Sequence, residues 1–148
     1  MNQYIGVPYK SRGRDFKGAD CYGILCLVYE HEMGVMLPEH EYCNATKPRE
    51  NKQVFQEGKE VWQEIPREEV KPLDVVSFNV TGVEAHIGII IDPKSGIFLH
   101  TLSQHDSGLG RLDSLMWDKR IAGFYRHHDF LQTSFFQVRH SENRDPAR

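Results

Sequence analysis

The chain has 148 residues, of which 39% are apolar and 26% are charged, with a formal net charge of -3. This length and composition are typical of one folded domain that builds a core without disulfides. They exclude a disordered chain and a strongly basic nucleic-acid-binding surface, so charge alone does not indicate a partner.

The first eight residues, Met1–Pro8, have neither the basic region nor the long apolar run of a signal peptide, and no later stretch reaches transmembrane length. We therefore expect the protein to be made in the cytoplasm. Three cysteines, Cys21, Cys26 and Cys43, are an odd number without the spacing of a small disulfide scaffold. At least one thiol is predicted to be free.

A loop followed by a helix is predicted near the N-terminus. Residues 4–19 contain prolines and glycines among polar residues, which is typical of a loop. Asp20 then suits a helix N-cap, apolar residues recur at helical spacing up to Met33, and Gly34 suits the left-handed residue that ends a helix. The pattern places Cys21 in the first turn of a largely buried helix.

This position matters for the chemistry of Cys21. The unpaired N–H groups and positive dipole end of a helix favour the thiolate, which is the nucleophilic form. The carboxylate of Asp20 disfavours it, so the helix end alone is not sufficient. A basic neighbour is needed, and histidine is the usual one.

The middle of the chain is predicted to hold a second helix. The residues after Gly34 look extended and lead into a polar connector. From Arg49 to Gln63, apolar residues fall on one side of a helical wheel, which predicts an amphipathic helix at the edge of the core. Pro66 and Pro72 then bracket a loop.

The second half is predicted to form a strand meander. The predicted strands are Asp74–Val80, His86–Asp92, Gly96–Ser103, a short one near Gly110–Leu112, and Ala122–His127. The segment Asp92–Gly96 has the residues of a hairpin turn. Helices first and strands later predict an α+β domain over residues 1–128. Residues 129–148 are predicted to be a partly flexible C-terminal extension in which Leu131–Val138 can add a strand.

Two histidines are candidates for the base. His86 opens one apolar strand and His100 ends the next, so the hairpin between them can bring both rings to one sheet face. A Cys–His pair oriented by a third polar group is the papain-like arrangement for nucleophilic catalysis. Cys21, His86 and His100 fit the nucleophile, the base and the orienting group.

Structural roles compete with these assignments. Cys26 and Cys43 are interpreted as small buried apolar residues. The pair His127–His128 suggests a metal, but adjacent strand residues point to opposite faces, so we place this pair at the surface. A zinc site formed by Cys21, His86 and His100 would lack a fourth ligand and close CxxC spacing. We predict no metal and no cofactor.

Several motifs together resemble the NlpC family of cell-wall cysteine peptidases, from about Tyr4 to Arg126. They are Tyr9, Gly18–Gly23, Gly34–Pro38, Lys71–Phe78, His86–Ile89 and Phe98–His100. The C-terminal end of this region, with Trp117, Arg120 and Gly123–Arg126, is most similar to the branch of the family found in phage tails. Two positions depart from the family pattern: Tyr22 replaces a small residue, and Leu73 replaces a glycine.

The resemblance implies a papain-like fold, in which the Cys21 helix packs on a central antiparallel sheet. It implies hydrolysis of an amide in peptidoglycan stem peptides, typically between D-glutamyl and a diamino acid. Cys21 is implied as nucleophile, His86 as base and His100 as its orienting partner. The Tyr9 hydroxyl would help to hold the oxyanion.

The resemblance also suggests substrate contacts. Asp20 matches a position that contacts a substrate amine in some relatives, although helix capping explains it equally well. Tyr22 would narrow the cleft and alter substrate preference.

Two other functions remain open. One is a structural tail-assembly protein with little or no hydrolytic activity, and the other is a thiol amidase or acyltransferase on the same fold. The expected partners are a stem peptide and other tail proteins, with neither nucleic acid nor membrane, and the expected location is the virion tail.

Overall fold

The helix that carries Cys21 is α1 (Cys21–Met33), which packs against one face of the main sheet. In this computed structural model the described residues are 2–37, 62–80 and 83–128. The Asp20 carboxylate accepts a hydrogen bond from the Gly23 backbone N–H at 2.8 Å, and Gly34 follows the helix in the left-handed region at φ 67°. Both ends of the helix lie where the sequence predicted them.

The described residues also form eight strands. These are β1 (Arg14–Asp15), β2 (Gly18–Ala19), β3 (Trp62–Ile65), β4 (Val75–Val80), β5 (Val83–Asp92), β6 (Ile97–His100), β7 (Gly108–Arg111) and β8 (Ile121–His127). Single 3-10 turns occur at Asn2–Tyr4, Arg67–Glu69 and Asp118–Arg120. The strands β3 to β8 form one antiparallel sheet in the order β3-β8-β4-β5-β6-β7. The predicted α+β class is confirmed, and β4 to β8 differ from the predicted strands only at their ends.

The segment before α1 is more ordered than the loop that the sequence predicted for residues 4–19. β1 and β2 pair with each other, and Tyr9 makes a further bridge to Ala19. Strands of two residues are too short to show an alternating pattern. This hairpin packs closely on the start of α1, where a Cβ at Gly23 would collide with the Gly13 carbonyl oxygen. Glycine at position 23 therefore allows the hairpin to reach the helix end.

The predicted helix at Arg49–Gln63 is wrong at its C-terminal end. Trp62 and Gln63 belong to β3, where Trp62 pairs with His127 of β8. Residues 49–61 lie outside the described residues. The Trp62 and His127 rings meet edge-on with centroids 5.0 Å apart. Because this cross-strand partner is distant in sequence, local periodicity could not predict the strand.

The surface prediction for His127–His128 is wrong for its first member. His127 is only 4% exposed, and its ring lies edge-on against those of Tyr29 and Trp62. His128 is exposed. The expected alternation of faces holds, but the inward side of β8 meets α1 and β3 rather than solvent.

Apolar side chains cover both faces of the main sheet. On the face toward α1, the helix packs on residues that include Val75, Ile87 and Ile89. The opposite face carries a second, largely aromatic cluster. Its members include Phe78, Ile90, Phe98, Trp117 and Phe124. Strand β5 contributes Ile87 and Ile89 to the first cluster and Ile90 to the second, so its central part is removed from water on both faces.

A buried ion pair joins β8 to the entry of β4. The Arg126 guanidinium donates hydrogen bonds to both carboxylate oxygens of Asp74, at 2.9 and 2.7 Å, and another to the Glu69 carbonyl at 3.0 Å. Asp74 is fully buried and Arg126 is 9% exposed. This bidentate contact fixes the position of β8 beside β4.

Leu73, one of the two departures from the family pattern, has an unusual backbone conformation. Its φ of 74° lies in the left-handed region, which costs a residue with a Cβ about 1 kcal/mol or more. The Leu73 side chain is buried, and its carbonyl accepts a hydrogen bond from the Tyr29 hydroxyl at 2.6 Å. Burial of the side chain offsets part of the strain at a position whose backbone favours glycine, whereas the carbonyl contact would also form with glycine.

Candidate active site

The Cys21 thiol lies between the N-terminus of α1 and strand β5. The residue is 2% exposed, and the backbone N–H groups of Ile87 and Tyr22 donate hydrogen bonds to its sulfur. Ile87 immediately follows His86, so the sulfur reaches β5 at the residue next to the predicted base. As the first helical residue, Cys21 also has a backbone N–H that no carbonyl of its own helix can satisfy.

The two predicted histidines are hydrogen-bonded to each other. Nε2 of His86 on β5 lies 2.9 Å from Nδ1 of His100 at the end of β6. The residues are 4% and 8% exposed, respectively. This bond leaves Nδ1 of His86 as the ring nitrogen that can exchange a proton with a thiol. The hairpin therefore brings the histidines together as predicted, while their catalytic roles stay predictions.

Burial sets the protonation states of these three groups. Burial, followed by the charge of Asp20, raises the pKa of the Cys21 thiol to about 12. Burial, followed by the neighbouring His100, lowers the pKa of His86 to about 3, and burial lowers the pKa of His100 to about 4. At neutral pH the site holds a thiol and two neutral imidazoles. A nucleophilic attack by this sulfur needs a base that takes its proton during the reaction.

Three buried aromatic rings surround the histidine pair, and the sequence did not assign them to the site. The Phe98 ring lies 4.7 Å from that of His100, and the Phe78 ring lies 5.8 Å from that of His86. The Trp117 indole stacks on His86 at 5.3 Å and 21°, and meets His100 edge-on at 5.2 Å. Trp117 belongs to one of the motifs that carry the family resemblance, but that motif did not predict its contact with His86 and His100.

Two glycines make room for the ring of Phe98. A Cβ at Gly88 would lie 2.7 Å from this ring, and a Cβ at Gly110 would lie 2.7 Å from it and 3.2 Å from Nε2 of His100. A glycine within a strand, such as Gly88, often marks a place where another backbone or a ligand approaches closely. What approaches is the Phe98 side chain, which in turn supports His100.

The Asp20 carboxylate is fully buried and accepts hydrogen bonds from its own chain. The donors are the backbone N–H groups of Arg12 and Gly23, each at 2.8 Å, and Nη1 of Arg14 at 2.9 Å. Burial raises the pKa of this carboxyl, and the Arg14 charge is the largest opposing influence. These contacts describe a helix cap. The predicted contact with a substrate amine stays a prediction.

Tyr22 lies in the core beside Cys21. It is 2% exposed, and the Arg14 guanidinium lies over its ring at 5.1 Å from the centroid. The aromatic residue therefore packs against the cation that pairs with Asp20. Its predicted influence on the substrate cleft stays a prediction.

The Tyr9 hydroxyl is buried and has no hydrogen-bond partner within the described parts of the chain. The backbone bridge from Tyr9 to Ala19 places this residue beside the segment that leads into Cys21. A buried hydroxyl without a partner costs free energy unless a ligand or solvent satisfies it. The role of Tyr9 as an oxyanion donor stays a prediction.

No group of three or more His, Cys, Asp and Glu side chains in residues 2–37, 62–80 and 83–128 could hold a metal ion. The three ligands considered for zinc, Cys21, His86 and His100, are thus not such a group. In the same ranges, no helix combines the length and apolar character that spanning a membrane requires.

Residues 6–126 match the sequence model of the NlpC/P60 family. The chain belongs to this family. The match includes Cys21, His86 and His100, together with α1 and all the described strands except the last residue of β8.

Related proteins agree with this assignment to the NlpC/P60 family. The chain is 25% identical over 123 residues to the murein DD-endopeptidase MepS/murein LD-carboxypeptidase of Escherichia coli K12. The aligned region covers 81% of this chain and 57% of that relative, so the chain spans little more than half the length of the curated relatives it matches.

Solved NlpC/P60 structures share the fold. A protein of Staphylococcus aureus Mu50, described as similar to a lipoprotein of this family, superposes with a TM-score of 0.60 at 28% identity, covering 84% of this chain and 37% of that one. The NlpC/p60 domain of the peptidoglycan hydrolase SagA gives a TM-score of 0.54 at 20% identity, covering 84% of this chain and 89% of that domain. The predicted papain-like NlpC fold is confirmed.

The histidine pair of this NlpC/P60 chain predicts an acid-sensitive fold. In the unfolded chain both imidazoles bind protons near pH 6.5, whereas in the folded protein they do so only near pH 3 and 4. Between these limits the unfolded state holds more protons, so the free energy of unfolding should fall as the pH falls. The slope should reach about 2.7 kcal/mol per pH unit for two protons.

Urea unfolding at several pH values from about 4.5 to 7 measures this slope. This range is wide enough to resolve the expected change in the free energy of unfolding. The control is the double variant His86→Gln, His100→Gln, which keeps polar side chains but removes both titrations. The wild type should lose stability more steeply than the variant. Equal slopes for the two proteins would contradict the buried neutral pair.

Proposed function

We propose that this protein is a cysteine endopeptidase that hydrolyses an amide bond in the stem peptides of peptidoglycan. The observation that carries the proposal is the buried His86–His100 hydrogen bond, located where the Cys21 sulfur reaches β5. A thiol, a base and an orienting group are the components of nucleophilic acyl transfer. The substrate class is supported by the names of the relatives, which are a murein endopeptidase and a peptidoglycan hydrolase.

In the proposed reaction, Cys21 attacks the carbonyl carbon of the scissile amide. Nδ1 of His86 accepts the thiol proton and then donates it to the leaving amine, and water hydrolyses the resulting thioester. His100 orients the His86 ring through the bond between Nε2 and Nδ1. The high pKa of the thiol means that proton transfer accompanies the attack, because little thiolate exists beforehand.

The negative charge that develops on the carbonyl oxygen must be stabilised by hydrogen-bond donors. The Cys21 backbone N–H is available because it belongs to the first residue of α1. The unpartnered hydroxyl of Tyr9 is the second donor in this proposal. Preorganised donors of this kind contribute about 3 kcal/mol each to transition-state stabilisation.

For the bond that is cut, we propose the amide between D-glutamyl and a diamino acid, on the basis of the sequence resemblance. The Escherichia coli relative is named for DD and LD bonds instead, so the experiment must distinguish these products. We further propose that the protein acts in a phage or prophage tail after synthesis in the cytoplasm. The support for this location is the resemblance of the segment from Trp117 to Arg126 to the tail branch.

Digestion of purified peptidoglycan and of isolated stem peptides tests the proposal. Wild type and Cys21→Ala are compared, and products are identified by mass. We expect cleavage only by the wild type, with a new amine at the diamino acid. Products cut at a DD or LD bond would support the peptidase and replace the proposed bond.

Two other results would overturn the proposal. Release of the whole stem from the sugar would identify a thiol amidase. No cleavage of either substrate by folded protein with reduced Cys21 would favour a structural tail protein.

A further inference from the structure

Trp117 has contacts that neither its burial nor its family motif explains. Its indole lies parallel to the His86 ring and perpendicular to the His100 ring, at 5.3 and 5.2 Å. One residue thus touches both members of the hydrogen-bonded pair. Trp117 is itself 5% exposed and packs on Phe78 at 4.7 Å.

The neighbours of Trp117 in the chain are exposed. Leu115 is fully exposed and Met116 is 56% exposed, whereas the next side chain is buried on the histidines. Backbone hydrogen bonds from the N–H groups of Trp117 and Asp118 to the Ser114 carbonyl, at 3.2 and 2.9 Å, form the turn that points the indole inward. The indole therefore separates this surface turn from the histidine pair.

We propose that Trp117 is a positioning residue that holds the His86 ring in its plane and keeps water away from the His86–His100 hydrogen bond. The parallel stack restricts rotation of His86 about its side-chain bonds. Exclusion of water strengthens the bond between Nε2 and Nδ1, because a hydrogen bond in a low-dielectric site is less screened than one in water. The ring face of the indole also attracts the imidazolium that forms when His86 takes a proton.

The kinetic effect of Trp117 rests on the proposed function. Its effect on the His86–His100 hydrogen bond does not. Nuclear magnetic resonance therefore provides the first test, because it needs no substrate. In wild type, the proton between His86 and His100 should give a downfield resonance that exchanges slowly with water. In Trp117→Ala this resonance should be lost to exchange, and the His86 ring should titrate closer to pH 6.5.

Two further variants separate positioning from general packing. Trp117→Phe keeps a flat ring and should retain a large part of the protected resonance, and it remains informative if the alanine variant does not fold. Trp62→Ala is the matched control, because it removes another buried indole that contacts His127 instead of the catalytic pair. It should leave the resonance and the His86 titration unchanged.

The kinetic test follows if the protein hydrolyses stem peptides. Trp117→Ala should lower kcat by about 10²-fold with a smaller change in KM, since a misoriented base affects the chemical step. A resonance and a titration in Trp117→Ala that match the wild type would overturn the proposal. So would an equal loss in Trp62→Ala. Absence of hydrolysis in the wild type, with the resonance results as expected, would overturn only the proposed function.

Discussion

Replacing His86 by alanine should lower kcat/KM for stem-peptide hydrolysis by about 10² to 10⁴-fold at neutral pH. The effect is large because the Cys21 thiol has a pKa of about 12 and cannot supply thiolate without a base. In the variant, hydroxide must remove the proton, so the residual activity should rise about tenfold per pH unit in alkaline solution. Initial rates measured from neutral to alkaline pH test both the level and the slope.

Three variants provide the comparison for His86→Ala. Cys21→Ala sets the background rate. His100→Ala should be less severe than His86→Ala, because it removes the orienting group and leaves the base. His31→Ala is the matched control, because this exposed histidine lies at the other end of α1. Activity of His86→Ala equal to that of His31→Ala would contradict the assignment of the base.

Replacing Arg126 by methionine should destabilise the protein by about 3 to 5 kcal/mol. The guanidinium makes two hydrogen bonds to the fully buried Asp74 carboxylate, and the change leaves that charge uncompensated. A loss of this size is a large fraction of the stability of an ordinary domain. Urea unfolding at about pH 7, followed by circular dichroism, measures the difference, provided that both proteins unfold in a two-state manner.

An exposed pair at the C-terminal end of β7 is the control for this prediction. Arg111 pairs with Asp113 at 3.1 Å, but the side chains are 58% and 66% exposed. Arg111→Met should therefore cost less than about 1 kcal/mol. The double variant Asp74→Asn, Arg126→Met should be less destabilised than the sum of its single variants, because no lone charge remains. If Arg126→Met cost no more than Arg111→Met, the ion pair would not hold β8 in place.

Local sequence signals were sufficient for α1 and for the histidine hairpin. The cap residues Asp20 and Gly34 mark the two helix ends because their roles depend on neighbours within one turn. His86 and His100 could be paired because the Asp92–Gly96 turn fixes which strands are adjacent. The predicted proximity of the two rings required only this hairpin.

Contacts between distant segments could not be predicted in the same way. Trp62 carries a helical pattern with its neighbours, yet it forms a strand because β8 supplies a partner far along the chain. The stacking of Trp117 on His86 likewise depends on how the chain returns after β7. The resting thiol form of Cys21 reflects burial by the whole fold, which a helix-end argument does not include.

The position of β8 also determines when the site can form during synthesis. β8 is the last described strand to leave the ribosome, yet it lies between β3 and β4. Cys21 emerges long before it, and also before the hairpin that carries both histidines. In the nascent chain this thiol is an ordinary exposed cysteine, open to oxidation and without a base. Cys21 therefore meets His86 and His100 only after most of the domain has been translated, so the candidate site assembles late in synthesis.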